Sequence, residues 1–431
     1  MTLPKEYIDK MKALLKDDYS LYEESLNMPS FHGLRINTLK ISCEEFEKLF
    51  PYKLERIPWT SDGYYYFDEE VNKHPFFYAG LYYLQEPSAM LPAEILPINE
   101  NEYVLDACAA PGGKSTKLLC KLKGSGCLVS NDISVSRQNA TQRNIERFGG
   151  SNCFVISEDI NKLASKYKNT FDKILVDAPC SGEGMFRKDS SLIKSWLEKG
   201  PEYYSSIQKD IIKSCMEMLK EGGMLLYSTC TFDEREDEEI IKYALSISNT
   251  KIIPIKQYNG FSSNQYGTKL FPHKVKGEGH FVSLIQKEGT LKTNINAIEE
   301  NPIPEYLNEY MNAIDDGQIE NINNKLYLHP VFNNNSIRTL KSGLYLGEYT
   351  NKHFEPSQAL AMSIKSKDYQ KVIDFEANDP RVIKYLKGET ISVDEKEDGY
   401  YLVCVNSFPL GFAKITNKLF KNKIDKGWIY R

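Results

Sequence analysis

Short apolar runs alternate with longer amphipathic stretches through the middle of the chain, and this rhythm predicts alternating β-strands and α-helices. The predicted strands are 103–108, 127–130, 153–156, 171–176 and 224–227, and the predicted helices are 115–122, 135–148, 203–219 and 233–245. Strands that alternate with helices indicate an α/β fold, with a mostly parallel sheet covered on both faces. A last strand at 281–286 is expected to be antiparallel, and Gly222-Gly223 is expected to end the preceding helix.

The segments on either side of this rhythm predict smaller domains. An amphipathic helix near the start, followed by strand-like alternation at 34–39, predicts an α+β domain. Short β-like runs at 344–346, 400–405 and 410–415 predict a compact β-rich module at the other end. Between them, from about 288 to 335, the chain becomes rich in asparagine, mostly within 301–335, and this predicts a linker with small helices. The predicted domain boundaries are 1–92, 93–289, 290–365 and 366–431.

Composition places the chain among ordinary globular proteins. It has 431 residues, of which 41% are hydrophobic and 26% charged. No apolar run approaches the roughly 18 residues that a membrane span needs, and the first residues lack the apolar core of a signal peptide. The nine cysteines are irregularly spaced and contain no Cys-x-x-Cys pair. We therefore expect reduced thiols, a cytoplasmic location, no membrane association and no bound metal.

Charge leaves nucleic-acid binding open. The formal net charge is −5, but residues 411–431 carry five lysines and one arginine against one aspartate. Local patches rather than net charge govern binding to phosphate backbones. The same stretch is also compatible with an ordinary solvated surface.

A glycine-rich turn, residues 106–114 with the sequence Asp-Ala-Cys-Ala-Ala-Pro-Gly-Gly-Lys, follows the first predicted strand. A phosphate loop needs glycine where this turn has Cys108, and the Gly-x-Gly-x-x-Gly dinucleotide pattern is absent. The remaining interpretation is S-adenosylmethionine. Asp132, at the end of the second strand, could accept the ribose hydroxyls, and Asp159, at the end of the third, the adenine amino group. Alternatively, each aspartate caps the helix that follows it.

Two cysteines lie where predicted strands end: Cys180 in Asp177-Ala178-Pro179-Cys180-Ser181-Gly182, and Cys230 in Ser228-Thr229-Cys230-Thr231. A thiolate that adds to carbon 6 of cytosine makes carbon 5 nucleophilic towards a methyl sulfonium. A base must then remove the carbon-5 proton so that the thiolate can leave. By this reasoning either thiol can be the nucleophile, and either can also be a small buried hydrophobe. A free thiol has a pKa of about 8.5, so the site must favour the thiolate.

Other notable residues receive structural interpretations. The acidic run 233–239 is interpreted as the first turn of a helix, where negative charge complements the helix dipole, and not as a site. The remaining cysteines outside the turn are interpreted as buried hydrophobes. These are Cys43, Cys120, Cys127, Cys153, Cys215 and Cys404.

The motifs at 106–114, 177–182 and 228–231 resemble, in this order, those of the Sun/Fmu-type RNA cytosine-C5 methyltransferases. Arg35-x-Asn37 and residues 85–90 look like the N-terminal motifs of that family. Segments 343–347, 354–357 and 410–412, with the basic end, look like its bacterial small-subunit rRNA branch, the RsmF-like proteins. The resemblance implies a Rossmann-like methyltransferase domain, an N-terminal α+β domain and a C-terminal PUA-like domain.

The resemblance also implies roles for individual residues. Cys230 would be the nucleophile, Cys180 would assist product release, and Asp177 could hold a protonated cytosine N3. Lys114 could reach either the substrate or the methionine carboxylate. The implied S-adenosylmethionine site consists of Cys108, Ala109, Ala110, Pro111, Gly112, Gly113, Lys114, Asp132, Arg137, Asp159 and Asp177.

The predicted activity is methylation of cytosine carbon 5 in 16S rRNA of the small ribosomal subunit, by a monomeric enzyme. The flanking domains would contact phosphates while the target base is flipped into the pocket. Two alternatives stay open. One is a tRNA or DNA cytosine methyltransferase; DNA enzymes use the Pro-Cys thiol as nucleophile. The other is a catalytically silent RNA-binding assembly factor.

Overall fold

The structure is a computed structural model that describes residues 2–292, 307, 310, 318–333, 337–350, 353–394 and 396–430. Within these ranges the chain forms a large central sheet and three smaller four-stranded sheets. The predicted α/β architecture, with a small α+β region before it and a β-rich region after it, is confirmed. Over the same ranges, no helix combines the length and apolarity needed to cross a membrane.

The N-terminal region is an antiparallel sheet with strand order β2-β3-β1-β4 and short helices around it. Its elements are α1 (Lys5–Leu15), α2 (Tyr19–Ser25), β1 (Gly33–Ile36), α3 (Cys43–Leu49), β2 (Leu54–Arg56), β3 (Gly63–Tyr66), α4 (Pro75–Tyr78), β4 (Tyr82–Leu84) and α5 (Leu91–Ile95). A capping box at Ser42 and Glu45 starts α3, because each side chain accepts from the other's backbone N–H.

The central region alternates strands and helices. Its elements are β5 (Tyr103–Asp106), α6 (Gly113–Leu122), β6 (Cys127–Asn131), α7 (Val135–Phe148), β7 (Cys153–Ile156), α8 (Ile160–Lys166), β8 (Phe171–Asp177), α9 (Ser191–Met218), β9 (Leu219–Thr229), α10 (Glu238–Ile247), β10 (Thr250–Ile253), β11 (Phe261–Ser263), β12 (Thr268–Leu270) and β13 (His280–Lys287). Strands β9-β8-β5-β6-β7 are parallel, and β13 joins β9 antiparallel, as predicted. The carboxyl ends of the parallel strands therefore share one edge.

Successive residues of the parallel strands face opposite sides of the sheet, as the period of a strand requires. Leu105, for example, belongs to the cluster beneath α8, α9 and α10, whereas its neighbour Val104 belongs to the cluster beneath α5, α6 and α7. Strand β8 is buried through Val176, which explains its unbroken apolar run. The sheet is thus rigid up to the edge where the functional groups lie.

The C-terminal region contains two further sheets, with strand orders β14-β15-β17-β18 and β19-β20-β21-β22. Its elements are β14 (Gln318–Ile322), β15 (Lys325–His329), β16 (Thr339–Ser342), β17 (Leu344–Thr350), β18 (His353–Pro356), α11 (Gln358–Ser363), β19 (Val372–Phe375), α12 (Pro380–Leu386), β20 (Gly399–Val405), β21 (Phe408–Thr416) and β22 (Leu419–Asn422). The last sheet shares a hydrophobic cluster with the N-terminal sheet, where Phe76 and Phe408 lie with ring centroids 6.3 Å apart.

The asparagine-rich stretch differs from the predicted linker where the structure describes it. Asn323 and Asn324 both have positive φ, 52° and 68°, and form the turn of the β14–β15 hairpin. Asparagine tolerates this left-handed backbone, so these residues are turn formers. The linker and small helices were predicted between about 288 and 335, and the part of this stretch at 293–317, apart from Leu307 and Tyr310, lies outside the described residues. Strand β16 was not anticipated; it pairs antiparallel with β7 and extends the central sheet.

Two boundary predictions in the central region were wrong. Helix α9 ends at Met218, and Gly222-Gly223 lie inside β9, where the pairing with β8 shifts between Leu219 and Met224. A Cβ on Gly222 would lie 2.4 Å from the backbone nitrogen of Leu291, so this close approach requires glycine. Helix α10 begins at Glu238 and not at 233, because the acidic residues before it are used in the site described below.

Candidate active site

Both predicted thiols lie at the same edge of the central sheet. Strands β8 and β9 are parallel neighbours, and Asp177 is paired in register with Ser228. The loops that follow carry Cys180 and Cys230 towards each other, and their sulfur atoms are 3.3 Å apart. Both side chains are half-buried and free of disulfides. The fold thus brings the two thiols into one small volume.

Hydrogen bonds tie the two cysteine loops together. The hydroxyl oxygens of Ser181 and Thr231, each one residue after a cysteine, are 2.9 Å apart. The backbone N–H of Gly184 donates to the carbonyl of Cys230 at 2.8 Å, and that of Ala178 to the carbonyl of Ser228 at 2.9 Å. These bonds leave little freedom for either loop to move alone.

The environment distinguishes Cys180. Its hydrogen bond with Cys230, its burial and the negative charge of Glu236 together raise the pKa of the Cys180 thiol well above its usual range. Cys180 therefore retains its proton at neutral pH. If the Cys180 thiol proton points at the Cys230 sulfur, it forms the hydrogen bond that a thiolate at Cys230 would accept.

Asp177 lies between the thiols and the glycine-rich turn. Its Oδ2 accepts from the Lys114 ammonium at 2.6 Å, its Oδ1 accepts from the Ser228 hydroxyl at 2.8 Å, and His280 Nε2 lies 3.4 Å from Oδ1. Burial alone would raise the pKa of Asp177, but Lys114 and His280 outweigh it and hold the pKa below the usual range. Asp177 in turn raises the pKa of Lys114 against its burial. The pair is ionised over the whole neutral range.

The glycine-rich turn is fixed by packing. Gly112 has φ of 101° and precedes α6, and a Cβ there would lie 3.1 Å from Thr141 of α7. A Cβ on Gly113 would lie 2.9 Å from the ring of Tyr83. Packing against Thr141 and Tyr83 thus requires glycine at both positions. The sequence analysis did not include this reason. The Ala109 N–H donates to the carbonyl of Asn131 at 2.7 Å, which joins the turn to β6.

Asp132 and Arg137 hold the turn from the other side. The Asp132 carboxylate accepts from the Ala110 N–H at 3.3 Å and the Ser134 N–H at 2.9 Å. Arg137 donates to the Ala110 carbonyl at 3.0 Å, with its other terminal nitrogen 3.6 Å from Asp132. The structure therefore brings together the turn, Asp132 and Arg137, as predicted for a cofactor site.

Asp159 and Cys108 are placed differently. The Asp159 side chain accepts from the N–H groups of Asn161 at 2.9 Å and Lys162 at 3.3 Å, so it caps α8, which is the alternative considered for it. It still lies at the same sheet edge, next to β6. Cys108 is half-buried against the main core cluster, and burial raises the pKa of its thiol well above the usual range. Its backbone belongs to the turn, whereas its side chain contributes to packing.

The N-terminal motifs support this turn. Arg35 is fully buried and donates to the carbonyl of Gly113 at 2.9 Å and the hydroxyl of Thr116 at 2.6 Å. The Asn37 amide donates to the carbonyls of Gly80 and Phe148, at 2.8 Å and 3.0 Å. These side chains fasten the N-terminal sheet to α6 and α7, so they position the site without facing its thiols.

The residues present fit S-adenosylmethionine. Asp106 Oδ1 is buried beneath the turn without a hydrogen-bond partner, which leaves an unused acceptor at the end of β5. Ile133 directly follows Asp132 and is 76% exposed. The aliphatic side chain of Ile133 can therefore pack against a purine while the adjacent Asp132 carboxylate accepts from a ribose. The exposed Arg137 guanidinium borders the same region. A nucleoside that carries an amino acid matches this combination of groups.

Comparison with known proteins covers nearly the whole chain. Residues 93–286 match the model of the 16S rRNA methyltransferase RsmB/F, and 3–87 match the N-terminal domain of 16S rRNA methyltransferase RsmF. Residues 305–364 match the RsmF rRNA methyltransferase first C-terminal domain, and 372–430 match the methyltransferase RsmF PUA domain. The order of these matches is that of the regions described above.

Individual relatives agree with these matches. Ribosomal RNA small subunit methyltransferase F of Shewanella oneidensis is 30% identical, covering 92% of this chain and 90% of the relative. The chain belongs to the RsmF-like branch of the Sun/Fmu methyltransferase family. The protein of the same name in Vibrio vulnificus is 28% identical over 98% and 97% of the two chains. A crystal structure of a methyltransferase homolog protein from Pyrococcus horikoshii is 28% identical, with a TM-score of 0.58 over 66% of this chain and 95% of that one.

Membership of the RsmF-like branch confirms several predictions. The chain is a 16S rRNA methyltransferase, its methyl donor is S-adenosylmethionine, and its C-terminal region is a PUA domain for RNA. The central sheet is the Rossmann-like methyltransferase fold, shared with the Pyrococcus structure. The roles of single residues in this RsmF-like chain stay predictions.

The acidic run of this RsmF-like chain corrects the sequence analysis. Asp233, Glu236 and Asp237 are buried, and they precede the first turn of α10. The Glu236 side chain accepts from the Ser181 N–H, and that of Asp237 accepts from the Thr229 hydroxyl at 2.6 Å. The interpretation of the run as a charged helix start was therefore wrong for these residues. The adjacent Thr-Cys motif was the signal that could have placed them in the site.

Other groups at the site were also missed by the sequence analysis. His280 of β13 lies next to Asp177, but it is 103 residues later in the chain, and no local pattern marks it. Ile133 could have been found, because it is an apolar residue directly after the aspartate that follows a strand, and the structure shows it exposed. Ile133 lies two residues after β6, and His280 is the first residue of β13, one residue before the predicted strand.

Proposed function

We propose that this RsmF-like chain methylates carbon 5 of cytosine in 16S rRNA through a covalent bond between Cys230 and carbon 6. The observation that supports this most is the 3.3 Å separation of the Cys180 and Cys230 sulfurs, beside the ionised Asp177–Lys114 pair. Two thiols held together next to a methyl-donor site are more than binding requires. A silent assembly factor would have no use for this arrangement.

The proposed chemistry divides the work between the thiols. The Cys230 thiolate adds to carbon 6, and the displaced electron pair makes carbon 5 nucleophilic. S-adenosylmethionine, when bound, supplies the electrophilic methyl group. A base then removes the proton from carbon 5, the double bond between carbons 5 and 6 re-forms, and the Cys230 sulfur leaves. Cys180, whose sulfur is next to that of Cys230, assists this release.

Asp177 is proposed to hold the pyrimidine. Because Lys114 and His280 keep its carboxylate ionised, Asp177 can accept a hydrogen bond from a protonated ring nitrogen N3. A proton at N3 withdraws electrons from carbon 6 and so favours addition of the thiolate. Lys114 is thereby assigned to Asp177, a third role besides the two that the sequence analysis considered.

The flanking regions are proposed to bind the RNA. Lys418, Lys421 and Lys426 are exposed on or next to the PUA domain sheet and can contact phosphates. The target base is flipped into the pocket, as chemistry on a base requires. The substrate is rRNA in the context of the small subunit, and the enzyme acts as a monomer in the cytoplasm.

The test is to trap the covalent bond. Full-length wild type, Cys230→Ala, Cys180→Ala and the control Cys43→Ala, a half-buried thiol of α3, are incubated with 16S rRNA and S-adenosylmethionine. Cys180→Ala is expected to accumulate an RNA–protein adduct that survives denaturant, because release fails. Cys230→Ala is expected to form none, and Cys43→Ala is expected to behave like wild type. An adduct from Cys230→Ala would reverse the roles, and no adduct from either would contradict the mechanism.

The product and the substrate are measured separately. Bisulfite sequencing of the treated RNA is expected to show 5-methylcytosine formed by wild type. Parallel reactions with stripped small subunits, free 16S rRNA, tRNA and duplex DNA identify the substrate. Greater methylation of tRNA or DNA than of either ribosomal substrate would overturn the proposed substrate without affecting the chemistry.

A further inference from the structure

The two thiols are neighbours, yet the proposed mechanism needs them to behave differently. We propose that Glu236 is a positioning residue that anchors the Cys180 loop and keeps Cys180 protonated, so that Cys230 alone acts as the nucleophile. This inference rests on the proposed function, because it concerns the same pair of thiols.

Glu236 holds the Cys180 loop on both sides. Its side chain is fully buried, and its Oε2 accepts from the Ser181 N–H at 2.9 Å and from the Gln208 side-chain amide at 3.0 Å. The same Gln208 amide donates to the carbonyl of Pro179 at 2.9 Å. The residue after Cys180 is therefore bonded to the Glu236 carboxyl directly, and the residue before Cys180 is linked to it through Gln208.

Glu236 is itself fastened to the strand that carries Cys230. The Tyr227 hydroxyl donates to the Glu236 carbonyl at 2.6 Å, and the Glu236 N–H donates to the Asp233 carbonyl at 3.1 Å. Tyr227 belongs to β9, three residues before Cys230. Glu236 thus fixes the Cys180 loop relative to the Cys230 loop.

The charge of Glu236 is poorly compensated. Its hydrogen-bond donors in the described part of the chain are neutral amides, and its Oε1 is buried without a partner. Burial, with the nearby charge of Glu183, raises the pKa of Glu236 to about 7, although the bonds from Ser181 and Gln208 oppose this. Above that pH a carboxylate faces Cys180 and disfavours a second negative charge there.

Other titratable groups lie around Glu236. Glu183 is held by Lys10 and Trp196, and Asp237 is held by Lys269 at 3.2 Å, so each has its own donor. The groups whose charges act on this cluster include Glu183, Asp237, Glu238, Lys269, Tyr227, Cys108, Cys180 and Cys230. Glu236 is thus the acidic group that both hydrogen-bonds the Cys180 loop and lacks a cationic partner among the described residues.

The test measures the reactivity of each thiol in the free, full-length protein. Initial rates of iodoacetamide alkylation at Cys180 and Cys230 are determined by peptide mass spectrometry from pH 6 to 10. The variants are wild type, Glu236→Gln, Glu236→Asp and the control Glu239→Gln, an exposed carboxylate on α10. Glutamine keeps an acceptor for the Ser181 N–H but removes the charge, and aspartate keeps the charge.

Glu236→Gln is expected to lower the midpoint of the plot of Cys180 alkylation rate against pH by about one pH unit. At pH values below that midpoint, Cys180 should therefore react about tenfold faster than in wild type. The Cys230 rate is expected to stay within about twofold of wild type. Glu236→Asp and Glu239→Gln are expected to retain the slow wild-type reaction of Cys180. A wild-type profile in Glu236→Gln, or an accelerated Cys180 in Glu236→Asp, would overturn the assignment.

Folding provides a second measurement. Because burial makes the charge of Glu236 costly, Glu236→Gln is expected to unfold at a higher urea concentration than wild type at pH 8. A Glu236→Gln protein that is unfolded at pH 8 would contradict the charge argument. These readouts need no RNA, so a failure of the cytosine chemistry leaves them unchanged, and a failure here leaves the adduct experiment unchanged.

Discussion

At the ends of β5 and β6 the cofactor half of the site is held by neighbours in sequence, whereas the thiol half at the ends of β8 and β9 is held by distant ones. The turn 108–114 is bound by Asn131, Asp132 and Arg137, all on the next strand, turn and helix. The thiol loops depend on Gln208, Glu236 and each other. Most bonds to the turn therefore come from within one βαβ unit, with Arg35 of β1 added at Gly113, whereas the thiol half depends on loops and helices from several parts of the chain.

This difference has a consequence for function. The cofactor half keeps groups available, namely the exposed Ile133 and the unused acceptor of Asp106. The thiol half uses Ser181, Thr231 and Glu236 to fix the loops that carry the two sulfurs. Binding tolerates some adjustment, whereas a thiol that must reach one carbon atom is effective only in a fixed geometry. Asp177, which is bonded to Lys114 of one half and Ser228 of the other, connects the two.

The largest effect is expected from Asp177→Asn, which breaks the connection. The substitution removes the charge that Lys114 and His280 stabilise and leaves Lys114 buried without a counter-charge. We expect single-turnover methylation of 16S rRNA to fall roughly 10²–10⁴-fold. Affinity for S-adenosylmethionine, measured by calorimetry, should change by less than about tenfold, since a hydrogen bond is worth about 0.5–1.5 kcal/mol.

The matched control for that substitution is Asp210→Asn, an exposed carboxylate on α9, which should methylate at the wild-type rate. If Asp177→Asn stayed within about tenfold of wild type in rate, the two halves would work independently. If it lost the cofactor instead of the rate, Asp177 would belong to the cofactor half alone.

A smaller effect separates two carboxylates within the cofactor half. Asp132→Asn should weaken S-adenosylmethionine binding about 10–100-fold, because a charge-assisted hydrogen bond is worth about 1.5–3 kcal/mol. Asp159→Asn should weaken it less than about threefold, since the Asp159 side chain caps α8 and asparagine caps equally well. Calorimetric titration of both variants decides the point. Equal losses at the two positions would mean that Asp159 binds the cofactor, as the family resemblance implies.

The cofactor half could be predicted closely from the sequence. Strands β5, β6 and β7 and helices α6 and α7 were predicted to within a few residues, because the strands are short apolar runs, the helices are amphipathic, and turn signals separate them. The grouping of the turn, Asp132 and Arg137 followed from the alternation of strands and helices. The reason for the two glycines did not, because it depends on Thr141 and Tyr83, whose positions are set by tertiary packing.

The thiol half was only partly predictable. Two cysteines at strand ends indicated a shared pocket, and β8 and β9 were both found. The position of His280 and the partners of Glu236 could not be derived, because each depends on which strands and loops become neighbours in space, although the adjacent Thr-Cys motif was a signal that Glu236 lies near the site. The acidic run also matched a common helix-start pattern, so local propensity favoured the wrong interpretation. The β14–β15 hairpin at Asn323-Asn324 was not predicted for a similar reason, since a turn pattern in a polar stretch also fits a linker.

The smallest effect concerns one carboxyl group in each half. Burial and the charges of Asp177 and Asp132 raise the pKa of Asp106 to about 7, and Glu236 reaches about 7 as well. The unfolded chain has a carboxyl pKa near 4, so between about pH 4 and 7 the folded state binds more protons. The contribution of these two groups to the free energy of unfolding therefore falls as the pH rises through this window and is lowest above pH 7.

Asp106→Asn, in the cofactor half, should reduce the fall in unfolding free energy between pH 5.5 and 8 by about 1–2 kcal/mol, because one group contributes at most about 1.4 kcal/mol per pH unit. Urea unfolding followed by circular dichroism at the two pH values measures this. Glu236→Gln, in the thiol half, should give a change in the same direction, and the double variant the sum, since each carboxyl lies in its own half. Asp210→Asn should leave the wild-type difference intact. If the double variant changed the pH dependence of the unfolding free energy only as much as one substitution alone, the two carboxyl groups would be coupled electrostatically through Asp177.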